Sequence, residues 1–229
     1  MPDFGPETES LIKRDRATSF GSAVHDVFES LGKTKWPTVR PDSVARALER
    51  RGADPVKDLD RAMVMIEGFV QSELFEIVKA GPASFESPLL MRLESVTVRG
   101  FADVLVESDL PLVLDYKTNN LGEKTPAEKM VDYLPQRNLY ALAVARSKGI
   151  QEVETAFVFL DRPNEPVVEL MDAGRLDRAE EELKDSLRMI TSGQFFGGPD
   201  ARHQPCADCW ACDRLETQIG RARETAATA

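Results

Sequence analysis

Apolar residues recur at helical spacing through the first third of the chain. They predict a helix over 18–31, which ends before Trp36 and Pro37. The apolar stripe of this helix consists of Val24, Val27, Phe28 and Leu31. Two further helical patterns cover 42–51 and 59–79. The sequence therefore predicts three helices before any strand.

From Phe85 onward the pattern changes to short apolar and β-branched runs separated by polar turns. The predicted strands of this region are 88–93, 96–106 and 112–116. Thr125, Pro126 and Glu128 form a capping box that opens a helix running to Ser147, and Pro135 must kink or split it. The remaining predicted elements are strands 155–160 and 167–170 and a charged helix at 176–191.

This order of elements predicts an α/β (α+β) fold. We expect a mixed central sheet, made of an antiparallel meander plus further strands, with helices flanking it. Residues 1–17 are expected to be an N-terminal extension or linker, and residues 18–229 a single domain. Within that domain we expect a helical insertion at about 37–80 and a cysteine-containing segment at about 193–229.

Composition narrows the class of protein. Hydrophobic residues make up 42% of the 229 positions and charged residues 30%, which is typical of a soluble globular chain. No apolar run could span a bilayer, and residues 1–15 carry no signal core. Three cysteines without a disulfide pattern favour a reducing environment. We therefore expect a cytoplasmic protein with no membrane partner.

The formal net charge is −10, which disfavours strong independent binding to nucleic acid. Affinity for a polyanion comes largely from lysine and arginine side chains that neutralise phosphates. A nucleic-acid enzyme with this charge needs a local basic channel, a bound metal ion or a partner that delivers the strand.

A predicted hairpin holds the candidate chemistry. If strands 96–106 and 112–116 turn around Asp109, opposed residues are symmetric about that position, and Asp103 faces Asp115. Cβ atoms of cross-strand neighbours lie roughly 4.5–5.5 Å apart. Two carboxylates this close repel each other unless a cation lies between them, and Mg²⁺ is a hard ion that takes such ligands.

Lys117 follows Asp115 by two positions and therefore shares its face of the strand, whereas Leu114 and Tyr116 face the other way. A metal ion and an ammonium beside it could together promote phosphodiester hydrolysis. The same spacing also fits polar residues on a solvent-facing strand that form a weak surface ion pair. The spacing alone leaves both interpretations open.

Three motifs in order resemble the RecB-type nuclease branch of the PD-(D/E)XK superfamily. This branch includes nuclease domains fused to bacterial helicases that process DNA ends and, more loosely, CRISPR-associated adaptation exonucleases. The motifs are Gly100-Phe101-Ala102-Asp103, Leu114-Asp115-Tyr116-Lys117-Thr118-Asn119, and Gln136 with Tyr140. The resemblance covers most of the chain from Gly21 onward and implies a restriction-endonuclease-like core. Ala102 stands where the family name has proline, as is usual in this branch.

The resemblance implies a role for each matching residue. The implied metal ligands are His25, Asp103, Asp115 and the Tyr116 carbonyl; the implied catalytic lysine is Lys117; the implied supporting pair is Gln136 and Tyr140; Glu86 is an additional acidic residue. Glu94 is a nearby alternative to Glu86. Without the resemblance, Tyr140 fits core packing and His25 fits an ordinary helix position.

Cys206, Cys209 and Cys212 form a Cys-x2-Cys-x2-Cys run. Some relatives add an upstream cysteine to hold an iron–sulfur cluster, and this chain has none. With His203 a zinc site of four ligands is formally available, although ten consecutive residues would make it cramped. A segment that packs its thiols and Trp210 against the domain fits the same residues.

Gly32-Lys33-Thr34 matches only the end of a phosphate-binding P-loop. That motif needs a glycine at the position of Val27 and a preceding strand, where the pattern predicts a helix. We therefore expect no nucleotide site in this segment and no motor in this chain.

The leading hypothesis is a nuclease dependent on Mg²⁺ or Mn²⁺ that cleaves DNA, from single-stranded ends, in repair. A helicase in the same parent chain or in a complex would deliver the strand. Two alternatives remain: a catalytically silent module that binds DNA or a partner, and a stand-alone nuclease of defence or mobile elements.

Overall fold

The structure is a computed structural model that describes the backbone of residues 6–191 and the side chains of residues 18–190. Contacts divide the chain into two units, one of residues 16–187 and one of residues 1–15 with 188–229. Of the second unit, the described residues 6–15 and 188–191 are helical. The cysteine run and His203 lie outside the described residues.

Within the described residues, four helices precede the sheet. They are α1 (Pro6–Lys33), α2 (Pro41–Arg50), α3 (Pro55–Val70) and α4 (Glu73–Ala80). The helix predicted from residue 18 thus begins at Pro6. The single helix predicted over 59–79 is wrong, because the Ser72 side chain caps a new helix by accepting a hydrogen bond from the Phe75 N–H. As predicted, a helix and not a strand leads into Thr34.

In the part of the chain that the structure describes, five strands form one mixed sheet, and their order in the sheet is their order along the chain. They are β1 (Ala83–Leu93), β2 (Val96–Val106), β3 (Leu112–Lys117), β4 (Val153–Phe159) and β5 (Val167–Met171). The first three strands are antiparallel, β3 and β4 are parallel, and β5 is antiparallel to β4. The predicted meander and mixed sheet are confirmed.

A helical crossover joins β3 to β4, as a parallel pair of strands requires. It comprises α5 (Pro126–Met130), a 3₁₀ turn (Val131–Tyr133) and α6 (Leu134–Lys148), and α7 (Ala173–Thr191) follows β5. The capping box at Thr125 and Glu128 is present, and the helix predicted through Pro135 is split in two. None of the described helices is long and apolar enough to cross a membrane.

Two large clusters of buried side chains lie on opposite faces of the sheet. One is formed with α1 to α4 and is called the α1 core; the other is formed with α6 and α7 and is called the α6 core. On β3, Leu114 and Tyr116 belong to the α1 core, whereas Val113 belongs to the α6 core. This alternation is the period-two pattern of a strand covered on both faces. It leaves Asp115 facing the α6 side of the sheet.

The β1–β2 hairpin changes faces at Glu86. Phe85 packs against the α1 core, but Leu89 and Met91 pack against the α6 core, although all three have the same parity. Glu86 has φ of +50°, which is rare for a residue other than glycine. The ladder is regular on both sides and is interrupted where Glu86 would pair with Asp103. An irregularity of the backbone therefore brings two acidic residues together.

Tyr116 anchors β3 to the helices. Its ring stacks on Phe28 of α1 with centroids 4.3 Å apart and meets Phe69 of α3 edge-on at 4.9 Å. The Tyr116 side chain is almost fully buried, and its hydroxyl has no hydrogen-bond partner among the described residues. Aromatic packing thus fixes the strand that carries Asp115 and Lys117.

We expect Phe28→Ala to lower the free energy of unfolding by about 3–5 kcal/mol, because it opens a cavity beneath Tyr116. Urea denaturation followed by circular dichroism measures this. Val56→Ala is the matched control, since Val56 is 93% exposed and should change stability by less than about 0.5 kcal/mol. Equal losses in the two variants would contradict the assignment of Phe28 to the core.

Candidate metal and catalytic centre

Asp103 joins three elements at the centre of the candidate site. From β2, its Oδ1 lies 3.0 Å from Nδ1 of His25 on α1. Its Oδ2 accepts a hydrogen bond of 2.6 Å from the Tyr116 backbone N–H on β3. Both carboxylate oxygens are therefore used, and the helix and the two strands are held in one arrangement.

Glu86 completes a cluster with His25 and Asp103. One potential ligand atom of each residue lies within 4.8 Å of the others, a spacing that suits a single metal ion. All three side chains are partly buried. Glu86, expected only as an additional acidic residue, thus stands in the group of closest potential ligands, and Glu94 does not.

Asp115, Lys117, Gln136 and Tyr140 form a second, connected group. The Gln136 amide nitrogen donates to Asp115 Oδ1 at 2.8 Å and to the Tyr140 hydroxyl at 2.7 Å. The Gln136 amide oxygen accepts from Lys117 Nζ at 2.8 Å. One amide on α6 therefore orients the carboxylate, the ammonium and the phenol together.

The hairpin register predicted from the sequence is confirmed. Val104 pairs with Leu114 and Leu105 with Val113, so pairing is symmetric about Asp109. Asp103 and Asp115 stand one position beyond the last of these pairs. At this point the Asp103 carboxylate accepts a hydrogen bond from the Tyr116 backbone N–H.

Asp115 is nearly inaccessible to solvent. Lys117 Nζ lies 2.6 Å from its Oδ2 in an ion pair. Among the described residues Oδ2 accepts no hydrogen bond from any group other than this ammonium. A carboxylate oxygen offers two lone pairs, so Asp115 Oδ2 retains capacity for a cation.

Burial and the charges of neighbouring groups shift the pKa values of the ionisable side chains in the site. Burial, reinforced by the charge of Asp103, raises the pKa of Asp115 to about 7, although Lys117 and His25 oppose the rise. Burial and the charge of Asp103 also raise the pKa of Glu86. For His25, burial lowers the pKa, but the hydrogen bond to Asp103 and the nearby carboxylates outweigh it, so that its pKa is raised. A cluster with this excess of negative charge favours a cation.

Tyr133 and Arg61 make contacts at or beside Lys117 that were not predicted from the sequence. Its Nζ lies 4.3 Å from the centre of the Tyr133 ring, and Tyr133 donates a hydrogen bond to Asn119. Arg61 of α3 donates to the Thr118 carbonyl at 2.9 Å. Tyr133 lies three residues before Gln136, a spacing that could have indicated it. No local signal in the sequence connects Arg61 to Thr118.

The geometry agrees with the family comparison. A family model described as the PD-(D/E)XK nuclease superfamily matches residues 5–213. The chain belongs to this superfamily. Asp103, Asp115 and Lys117, the residues predicted from the resemblance, lie on the β2–β3 hairpin at the point where the two groups meet.

The relatives that match in sequence are much longer than this chain. An ATP-dependent helicase/nuclease component of Streptococcus thermophilus is 29% identical over 182 residues, covering 74% of this chain and 14% of the relative. The protein of the same name from Streptococcus mutans is 26% identical over 174 residues, covering 72% and 14%. The chain therefore spans about one seventh of the length of these relatives.

A solved structure shares the fold. The crystal structure of a protein from Eubacterium rectale, provisionally assigned as an exonuclease, superposes with a TM-score of 0.52. It covers 87% of this chain and 74% of its own, at 15% sequence identity. The restriction-endonuclease-like α/β core inferred from the sequence is confirmed.

The contribution of Asp115 to the stability of the metal-free chain should fall as pH rises from about 4 to 7. Over this range the folded chain holds a proton on Asp115 that the unfolded chain, with an aspartate pKa of about 4, has released. The raised pKa of His25 acts in the same direction above its ordinary value. Asp115→Asn removes the first contribution and, because the Asp115 charge helps to raise the pKa of His25, it also reduces the second. Its Tm should therefore fall less between pH 5 and pH 8.

Thermal denaturation in EDTA at the two pH values measures this difference. A change of about 1 kcal/mol moves the Tm of a chain of this size by roughly 2–4 °C, so the two falls should differ by several degrees. Comparing the decrease in Tm of the two proteins cancels any pH-independent cost of the substitution, such as the altered contact with Lys117. An equal decrease in Tm in the two proteins would contradict the raised pKa of Asp115.

Proposed function

We propose that this chain is a divalent-metal-dependent DNA nuclease that degrades single-stranded ends in DNA repair. The observation that carries the proposal is the junction at Asp103, where the His25–Glu86–Asp103 cluster meets the Asp115–Lys117–Gln136 group. A cluster rich in carboxylates and a buried lysine side by side fit hydrolysis of a phosphodiester better than a structural ion pair.

The residues of the cluster fit a hard divalent cation such as Mg²⁺ or Mn²⁺. His25, Glu86 and Asp103 offer ligand atoms, and Asp115 Oδ2 and the Tyr116 carbonyl are the further ligands that we propose. Such an ion would supply Lewis acidity toward a phosphate oxygen and an acidified water. Carboxylate oxygens are the ligands that these ions prefer.

Lys117 is the proposed catalytic residue. Its ammonium is held by Asp115 and Gln136, and its side chain is only 12% exposed. In so dry a site a fixed positive charge stabilises negative charge that develops on a reacting phosphate. Gln136 positions both Lys117 and Asp115, and Tyr140 in turn accepts a hydrogen bond from Gln136.

A helicase is the proposed partner. The relatives with 24–29% identity are named as components of an ATP-dependent helicase/nuclease, and this chain matches about one seventh of each. With a net charge of −10 the chain is poorly suited to capture DNA unaided. Delivery of the strand by a helicase would remove that limitation.

Lys117→Ala and Asp115→Ala should each lower the Mg²⁺-dependent cleavage of labelled single-stranded DNA by about 100-fold or more, because each removes charge from the reacting centre. Gel electrophoresis of the products measures the rate. Lys148→Ala and Asp109→Asn are the controls, since both residues are exposed and away from the cluster. Cleavage at the rate of the controls would exclude the assignment.

Mn²⁺ should raise the Tm of the native chain, because it binds the folded cluster and not the unfolded chain. At 100 times its Kd, an ion stabilises by about 2.7 kcal/mol. Asp103→Asn and Glu86→Gln should reduce the increase, whereas Asp109→Asn should retain it; differential scanning fluorimetry measures it. No increase in any of the four proteins would favour the catalytically silent module instead.

A further inference from the structure

A groove lined by lysines lies beside the candidate site. Its volume is about 600 Å³. Its charged lining residues are Lys33 at the end of α1, Lys35 in the following turn and Lys79 at the end of α4. None of the described residues lining it is acidic. In a chain with a net charge of −10, three ammonium groups around one groove are a marked local reversal of charge.

Two elements, α1 and β1, contribute residues both to the groove and to the metal-ligand cluster. Its lining ends at Phe85, the residue before Glu86. On α1, His25, Glu29 and Lys33 follow one another at intervals of four residues and so share a helix face. The rise of the helix places Lys33 about 12 Å along the axis from His25. A chain lying on this face could contact the cluster and the groove at once.

The backbone that carries Lys35 is held in an unusual conformation. Lys35 and Trp36 both have positive φ, at 62° and 55°, which is unfavourable for residues other than glycine. The Trp36 ring offsets this cost by packing edge-on against Phe75 at 4.9 Å and Phe85 at 5.7 Å. The packing of Trp36 thus holds this turn in place, while the Lys35 side chain remains exposed.

Gly32 shapes the floor of the groove. A Cβ atom at this position would lie 2.3 Å from the Phe85 ring, so only glycine lets the ring rest against α1. The ring therefore forms a wall of the groove one residue away from Glu86. Ser84, whose hydroxyl contacts that of Ser87, adds a polar group to the lining.

We propose that this lysine groove binds the phosphodiester backbone of a nucleic-acid strand on its way to or from the metal-ligand cluster. The proposal rests on the proposed nuclease function, because that function makes the metal-ligand cluster the place where the strand is cleaved. The supporting argument is charge complementarity, since lysines that neutralise phosphates supply most of the affinity for a polyanion. Glu29 is the built-in competitor, because its carboxylate pairs with Lys33 in the absence of a strand.

The test compares two triple variants of the full chain in EDTA, so that the strand stays intact whether or not the chain is a nuclease. One variant replaces Lys33, Lys35 and Lys79 with alanine. The control replaces Lys57, Lys148 and Lys184, which pair with acidic residues elsewhere and give the same net charge. Fluorescence anisotropy with a labelled oligothymidylate measures Kd across a series of salt concentrations.

The groove variant should bind about tenfold or more weakly than the control, and its salt slope should be smaller by up to about 2, the share of three phosphate contacts to a single strand. Glu29→Gln should tighten binding, because it frees Lys33. Equal Kd values and equal salt slopes for the two triple variants would overturn the proposal.

A second measurement separates this proposal from the proposed function. Hydrolysis of bis(p-nitrophenyl) phosphate in Mn²⁺ reports on the metal-ligand cluster alone, because this ester is too small to span the groove. The groove variant should hydrolyse it at the control rate while losing activity on oligothymidylate. Absence of oligothymidylate cleavage by the unmodified chain in Mn²⁺ would refute the nuclease function and leave the binding result to decide on the groove. A slower hydrolysis of the small ester by the groove variant alone would refute a pure binding role.

Discussion

Asp103 is bonded through both of its carboxylate oxygens, to His25 on one helix and to the Tyr116 N–H on the neighbouring strand. Because an aspartate side chain is short, these two contacts leave little freedom for α1, β2 and β3 to move relative to one another. Glu86 and Asp115 flank this carboxylate, and its charge helps to raise the pKa of both. Asp103 thus couples the three elements of the site both structurally and electrostatically.

Such crowding makes the site a cost to stability that the surrounding core must offset. Glu86 has a backbone conformation that disfavours any side chain, and Asp115 is a buried carboxylate paired with Lys117. The stacked rings of Phe28 and Tyr116 supply compensating burial directly behind the strand. Backbone strain and a buried ion pair at one place, supported by dense packing next to them, are a combination that proteins show at functional sites.

The sequence predicted the parts of the site that depend on regular structure. Asp103, Asp115 and Lys117 lie on strands whose alternation and turn are visible in the residue pattern, so their register followed from counting. The capping box at Thr125 was equally readable. Strand alternation and helix capping both depend on residues close together in the sequence, so both can be recognised from the sequence alone.

What could not be predicted depends on departures from regularity or on distant contacts. The change of face at Glu86 reverses which residues are buried, and a positive φ at glutamate has no signature in the sequence. Arg61 reaches Thr118 across 57 positions, which no periodicity encodes. The division between α3 and α4 was predictable in principle, since Ser72 followed by Glu73 is a helix start that the apolar pattern obscured.

The segment 37–80 has a consequence for any attempt to define the smallest working version of this domain. Although it interrupts the path from α1 to the sheet, its Phe69 covers the Tyr116 ring and its buried residues belong to the same core as Phe28. Excising it would expose the back of β3 to water. These helices therefore contribute to the hydrophobic core of the domain, and a minimal domain has to include them.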